Sequence, residues 1–308
     1  MTDKITECPL CSAHDFAPFI RARDFHYGNQ GWFTLVRCSH CRLCFQDPMP
    51  DDCELSSYYP ATYYAYKDRF DKKPLPASKI LLKTLLGIND LETKDPVFQR
   101  PGKMLDVGCG SGWFLAQMRD KGWEVKGVEP SSAAASLGQS QRGLDIFNGT
   151  LWDAQFDSGS FDYVRLNHSF EHMGDPNRAL REIWRILARN GKLMIGVPNG
   201  TSLNARLFGQ FWYHLALPVH TFLYSPSTIR KILEKHGFAV QRMIFNTDNA
   251  GIQGSIQFLL NRNDEPLKAE GMVTDSRLAR VLTYWMAHLQ NLFHISDFIE
   301  VTAVKKTV

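Results

Sequence analysis

One heptapeptide limits the fold of this chain more than any other stretch: Asp106-Val107-Gly108-Cys109-Gly110-Ser111-Gly112. It closes an apolar run, Lys103–Val107, and opens a segment of helical spacing, Trp113–Lys121. Alternate glycines let the backbone turn sharply from strand into helix and approach a ligand closely. The N–H groups at the helix start then face an anionic group. Short apolar runs and helical patterns go on alternating to about residue 200. Strands are expected at Lys103–Val107, Glu124–Glu129, Phe161–Leu166 and Lys192–Val197, with a weaker one at Leu144–Phe147. Helices are expected at Trp113–Lys121, Ser132–Gln141 and Asn177–Ala188, the last stopping with a left-handed cap at Asn190-Gly191. This is the pattern of βαβ units and a parallel sheet. Further on, Ser227–His236 reads as a helix stopped by Gly237, and Phe238–Ile244 and Phe298–Val304 as strands. Between those strands, Leu278, Val281, Leu282, Trp285, Met286, Leu289 and Phe293 recur at helical spacing within Ser276–Phe293. That helix is expected to cover the sheet or a pocket.

The second expected strand, Val125-Lys126-Gly127-Val128-Glu129, ends in an acid that can accept both hydroxyls of a ribose. Loop and acid together describe a nucleoside-bearing cofactor lying across the strand ends. NAD is the first candidate by that logic, but the detail differs. The D-V-G-C-G-S-G string resembles motif I of class I S-adenosylmethionine-dependent methyltransferases. Ser160-Phe161-Asp162-Tyr163-Val164 resembles the strand of their motif IV, and Ser169-Phe170-Glu171-His172-Met173-Gly174-Asp175-Pro176 their E-H-x-x-D-P segment. Leu180–Leu187, Gly191–Ile195 and Val197-Pro198-Asn199 resemble the helix and fifth strand that follow. The resemblance implies an α/β, Rossmann-like, seven-stranded and mostly parallel sheet whose last two strands form an antiparallel pair. It also implies that Gly108, Gly110 and Gly112 line the methionine and ribose side of S-adenosylmethionine and that Asp106 orients their loop. Glu129 takes the ribose hydroxyls, Leu151, Trp152 and Asp153 flank the adenine, and Asn167 and His168 lie beneath the sulfonium. Cys109 fills a small packing slot beside the cofactor. Arg165 departs from the apolar pattern of its strand, either snorkelling to an edge or reaching an acid of the substrate.

Six of the seven cysteines fall in residues 1–54. Cys8-Pro9-Leu10-Cys11 and Cys38-Ser39-His40-Cys41 form two C-x-x-C knuckles, each aiming two thiolates at one point, as tetrahedral zinc requires. Cys44 is a spare, separated from Cys41 by two residues, so it competes with Cys38 or Cys41 for a place. The segment to Pro48-Met49-Pro50 resembles zinc-ribbon modules that precede some methyltransferases, with Arg42 where a glycine is usual. Residues 1–54 are thus expected to form a zinc-ribbon-like module with structural zinc. Residues 55–98 form an aromatic and helical linker or lid, with Tyr63 or Tyr64 near the cofactor. Residues 99–308 form the methyltransferase domain, with a helical insertion at about 265–295.

For a hydroxyl acceptor the enzyme needs a base. His172, just past the fourth expected strand, and His220, after the fifth, are the candidates. Phe211-Trp212-Tyr213-His214 either stacks on a sugar face or packs in the core. The pairing of ribbon and methyltransferase resembles bacterial enzymes of polysaccharide and natural-product sugar pathways, which implies a sugar or glycan hydroxyl as acceptor. An RNA methyltransferase and a cofactor-less binding module are the alternatives. Nucleic acid is disfavoured, because five cations balance five acids in residues 1–50 and the whole chain carries only +3. The N-terminus lacks the apolar core of a signal peptide, no apolar run is long enough to span a bilayer, and the paired thiols suit a reducing compartment. A cytoplasmic protein is expected, and the sequence leaves its oligomeric state open.

Overall fold

The structure is a computed structural model and describes residues 5–60, 101–264 and 271–306. Tyr63, Tyr64 and the rest of 61–100 lie outside the described residues, as does the start of the expected insertion. The main sheet has seven strands: β4 (Lys103–Val107), β5 (Glu124–Glu129), β6 (Ile146–Asn148), β7 (Phe161–Asn167), β8 (Leu187–Pro198), β10 (Phe238–Asn246) and β11 (Phe298–Lys305). Their order is β10-β11-β8-β7-β4-β5-β6. β6, β5, β4, β7 and β8 run parallel, and β11 inserts antiparallel between β8 and β10. This is the expected sheet, down to the closing antiparallel pair.

Side chains alternate across its faces with the period of two that a strand imposes. Leu105, Val164, Leu193 and Ile195 pack toward α4 (Pro176–Ile186) and α6 (Pro226–Lys235). Met104, Tyr163 and Met194 pack on the other face with α2 (Trp113–Asp120) and α3 (Ser132–Arg142). α4 shows why the sequence is helical there. The Asp175 carboxylate accepts from the Arg178 N–H, Pro176 fills the first turn, and Ala179, Leu180, Ile183 and Ile186 form its buried stripe. The helix ends at Ile186 rather than at Asn190-Gly191, because Leu187 already pairs with Phe161. Asn190 takes its left-handed φ of +63° inside β8 instead. On α6, Ser225 and Thr228 form a reciprocal capping box, and Gly237 follows at φ +80°.

A second, four-stranded sheet is built by β1 (Phe16–Ala22), β2 (Phe33–Cys38), β3 (Cys44–Gln46) and β9 (Phe222–Leu223), in that order. Its fourth strand comes from the far half of the chain. β3 pairs antiparallel with β9, and the Gln46 N–H donates to Thr221 O at 2.8 Å. Cys8, Leu10, Phe45, Phe222 and Tyr224 belong to the same apolar cluster as the core of the main sheet.

The amphipathic segment forms α9 (Arg277–Leu292), after α7 (Asn249–Leu260) and a short α8 (Met272–Asp275). It is turned the opposite way from expectation. Thr283, Ala287 and Gln290 are buried, while Leu278, Leu282, Trp285 and Leu289 are exposed. The polar side is held in because Gln290 and Asn204 exchange two amide hydrogen bonds, and Asn204 also donates to the buried Asp297. No helix among the described residues is long and apolar enough to cross a membrane.

Candidate active site

β4, β5 and β7 deliver their C-terminal ends to one cavity of about 780 Å³. Pockets for cofactor-sized ligands fall in this range, at this edge of an open α/β sheet. The glycine loop after β4 is tied to β5, since the N–H groups of Gly108 and Cys109 both donate to Val128 O. Gly108 sits at φ +74°, and a Cβ there would lie 2.6 Å from the Cβ of Ser169, so a side chain is doubly excluded. The Ser169 hydroxyl donates to Val107 O at 2.7 Å and fixes that contact. Gly112 starts α2 at φ +74° and is backed by Leu144, which leaves no room for a Cβ.

Glu129 ends β5 at the rim of the cavity. Its Oε2 accepts from the Gly110 N–H at 2.8 Å and its Oε1 from the Ser131 N–H at 2.9 Å. Burial lifts its carboxyl above the usual range, and those two N–H groups pull it back only in part. Each oxygen keeps a second lone pair, which suits acceptance of two vicinal hydroxyls. Asp106, Gly108, Cys109, Gly110, Glu129, Leu151, Trp152, Asn167 and His168 all border this cavity. Cys109 is also pressed against Gly127, and burial raises its thiol well above the ordinary value, so it is a neutral packing group. The structure differs from expectation at two positions. Asp153 lies outside the cavity lining, exposed, where its carboxylate accepts from the Thr150 hydroxyl and N–H to close the turn after β6. Gly112 serves the helix start and does not border the cavity.

Arg165 lines the cavity and is paired within the sheet. Asp106 and Arg165 are neighbours in the register of β4 and β7, and Nη1 of Arg165 lies 3.1 Å from both carboxylate oxygens. The guanidinium also stands 3.9 Å above the ring of Phe114. Burial raises the Asp106 carboxyl, and the Arg165 charge lowers it again in part. Breaking such a pair leaves an uncompensated buried charge, so Arg165→Met is expected to cost about 3 kcal/mol. Denaturant unfolding checks this, with Asp106→Asn added to Arg165→Met expected to restore most of the loss.

Beyond β7 the chain makes a single turn of 3₁₀ helix, Phe170–His172. Nδ1 of His172 lies 2.8 Å from Val219 O. A carbonyl only accepts, so the proton sits on Nδ1 and the lone pair on Nε2. The Tyr59 hydroxyl lies 2.9 Å from the same nitrogen, and Tyr59 and His172 both border the cavity. His220 is behind this wall rather than on it. Its Nδ1 donates to His214 O at 3.0 Å, its Nε2 lies 3.9 Å from Oε1 of Glu171, and its ring centroid is 4.8 Å from that of His172. Burial, and then the neighbouring His172, lower its basicity well below that of ordinary histidine. Glu171, which the motif carried without an assigned role, is fully buried. Burial acts against its charge, but the imidazoles of His168, His172 and His220 hold its carboxyl down to about 2. Phe211–His214 do not border the cavity. Trp212 is buried and donates to Asp297, and Tyr213 stacks on Phe258, so these aromatics are core.

Sγ atoms of Cys8, Cys11, Cys38 and Cys41 all lie within 4.8 Å of one another, with 3.5 Å between Cys8 and Cys41 and between Cys11 and Cys38. A disulfide needs about 2.05 Å. Four thiolates about 2.3 Å from one zinc stand about 3.8 Å apart, which this quartet matches. Cys44 is apart from it, on β3, with its thiol toward Arg42 O.

The sequence matches a family model described as a methyltransferase domain over residues 83–242, just over half of the chain. An uncharacterized methyltransferase of Staphylococcus carnosus is 30% identical over 96 residues, covering 30% of this chain and 46% of its own length. A ubiquinone biosynthesis O-methyltransferase of Maricaulis maris is 29% identical over 151 residues, covering 45% and 59% respectively. The chain therefore spans about half of the curated relatives it matches. The crystal structure of an S-adenosylmethionine-dependent methyltransferase from Archaeoglobus fulgidus aligns with a TM-score of 0.47 at 21% identity, over 74% of this chain and 93% of that one.

Proposed function

The chain belongs to the methyltransferase-domain family, and on that premise we propose that it transfers a methyl group from S-adenosylmethionine to a sugar hydroxyl, free, nucleotide-linked or carried on a glycan. One observation carries the reading: a single cavity takes in the glycine loop, Glu129 and the imidazole of His172. The sulfonium donor would supply a methyl carbon already activated for displacement. The chain supplies the rest. Glu129 accepts the ribose hydroxyls while its N–H partners at Gly110 and Ser131 hold it in place. Leu151 and Trp152 flank the adenine. An alcohol stays protonated at neutral pH, and His172, with its lone pair on Nε2, is the group that takes the hydroxyl proton. The sugar acceptor is supported by the likeness of the ribbon-and-methyltransferase arrangement to sugar enzymes.

Zinc belongs to the same proposal. Cys8, Cys11, Cys38 and Cys41 would hold it in a closed four-ligand site, which is structural because no position is left for a substrate.

His172→Ala is expected to leave S-adenosylhomocysteine affinity within about twofold and to slow turnover by about a hundredfold or more. The assay is transfer of labelled methyl to a panel of nucleotide sugars. An unchanged rate assigns His172 a bracing role. If no member of the panel accepts label while the cofactor binds, the sugar acceptor is wrong.

A further inference from the structure

Glu171 presents a chemical problem that methyl transfer does not solve. Its side chain is 0% exposed, and neither carboxylate oxygen has a hydrogen-bond partner among the described residues. Buried carboxylates are normally paired, hydrogen-bonded or bound to metal. The nearest imidazole nitrogens, His168 Nδ1 at 3.5 Å and His220 Nε2 at 3.9 Å from Oε1, lie within reach of charge but beyond the length of a formed hydrogen bond. A protonated imidazole bonded to the carboxylate would close to about 2.8 Å.

The surroundings are arranged as for a cation. One donor atom from each of Glu171, His172 and His220 lies within 4.8 Å of the others. His172 and His220 both spend Nδ1–H on a backbone carbonyl, Val219 O and His214 O. That fixes each tautomer with the lone pair on Nε2, the second-shell arrangement that metal-bound histidines nearly always show. The loop carrying His220 is clamped against Glu171 as well, because the Thr221 N–H and hydroxyl both donate to Glu171 O.

We propose that Glu171, His172 and His220 bind one divalent metal ion, separate from the cysteine site, that opens through His172 into the donor cavity. Two imidazoles and one carboxylate form a three-ligand set that leaves further positions for water or substrate. Such donors suit zinc, cobalt or manganese, whereas the four thiolates select zinc. The inference rests on the hydroxyl-methylation reading only for what the ion does. It would take hydroxyl oxygens of the acceptor, such as a vicinal diol, as ligands. With the ion bound, the Nε2 lone pair of His172 is spent on it and the hydroxyl proton leaves to water at the cavity mouth; without the ion, His172 takes that proton directly.

The test is zinc stoichiometry of the full-length reduced protein, by equilibrium dialysis against Zn²⁺ and elemental analysis. Glu171→Gln and His220→Ala are each expected to hold one equivalent less than wild type, with S-adenosylhomocysteine affinity within twofold in both. Replacing Cys38 and Cys41 by Ser should remove the cysteine equivalent and, because β3 holds the segment that carries His220, weaken this one as well, so the site itself is read from the Glu171 and His220 variants. If both variants that still bind S-adenosylhomocysteine keep the wild-type zinc count, the proposal is overturned, whatever the cysteines hold. Failure of the wild type to bind S-adenosylhomocysteine would instead sink the methyl-transfer reading and leave the metal count to stand alone.

Discussion

Replacing Glu129 by Ala is expected to weaken S-adenosylhomocysteine binding by about a hundredfold or more while the protein stays folded. Two hydroxyl hydrogen bonds to a charged acceptor contribute roughly 1.5 kcal/mol each at the low end. Their loss, about 3 kcal/mol, is about two powers of ten in affinity. A second effect adds to it. The Gly110 and Ser131 N–H groups lose the carboxylate that now satisfies both, so the glycine loop loses its brace to β5. Glu129→Gln is expected to fall between, because its amide accepts from one of those N–H groups but turns a donor toward the other. Calorimetry separates the cases. Wild-type affinity in Glu129→Ala would show that the acid at the end of β5 does not hold the ribose, and the cofactor assignment would go with it.

The second large effect is expected from the cysteines. Changing Cys38 and Cys41 to Ser should unfold the N-terminal sheet, since structural zinc contributes on the order of 10 kcal/mol to small zinc modules. The damage should travel. β3 holds β9, Gln46 donates to Thr221 O, and residues 219–221 carry both the carbonyl that fixes the His172 tautomer and His220 itself. We therefore expect hydrogen-exchange protection to collapse over residues 16–46 and 219–223 and methyl transfer to fall at least tenfold. Protection of β4–β8 and cofactor affinity should change little. Substitution is preferred to a chelator, which would strip any cation at Glu171 too. Unaltered protection at 219–223 would show that the N-terminal sheet and the candidate site are energetically independent.

Local chemistry made much of this legible in the sequence. The strand ends, the glycine turn, the acid of β5 and the two C-x-x-C knuckles each depend on neighbours within a few residues. So does the Gly237 stop of α6. Arg165 was visible as an anomaly but not as a partner of Asp106, because the two are 59 residues apart and meet only through the register of β4 and β7. The Asn190-Gly191 stop misled for a related reason: pairing of Leu187 with Phe161 overrode a local cap signal. α9 misled through hydrophobic periodicity, which identifies an apolar face without saying where it points. Hydrogen bonds from Gln290 to Asn204 decided that.

Glu171 shows the same division. The sequence placed it in a motif beside His172, and no pattern of spacing could reveal that both its oxygens would be buried without a hydrogen-bond donor among the described residues. What the sequence determined alone is the run of seven apolar strands, the glycine turn from strand into helix, and the pairs of thiols. What only the tertiary structure decided is which distant groups share a low-dielectric space: Asp106 with Arg165, Glu171 with His220, and β3 with β9. Periodicity and caps are set by bonds between near neighbours along the chain. Charge pairing and desolvation are set by separation in space, and that exists only once the sheet has closed.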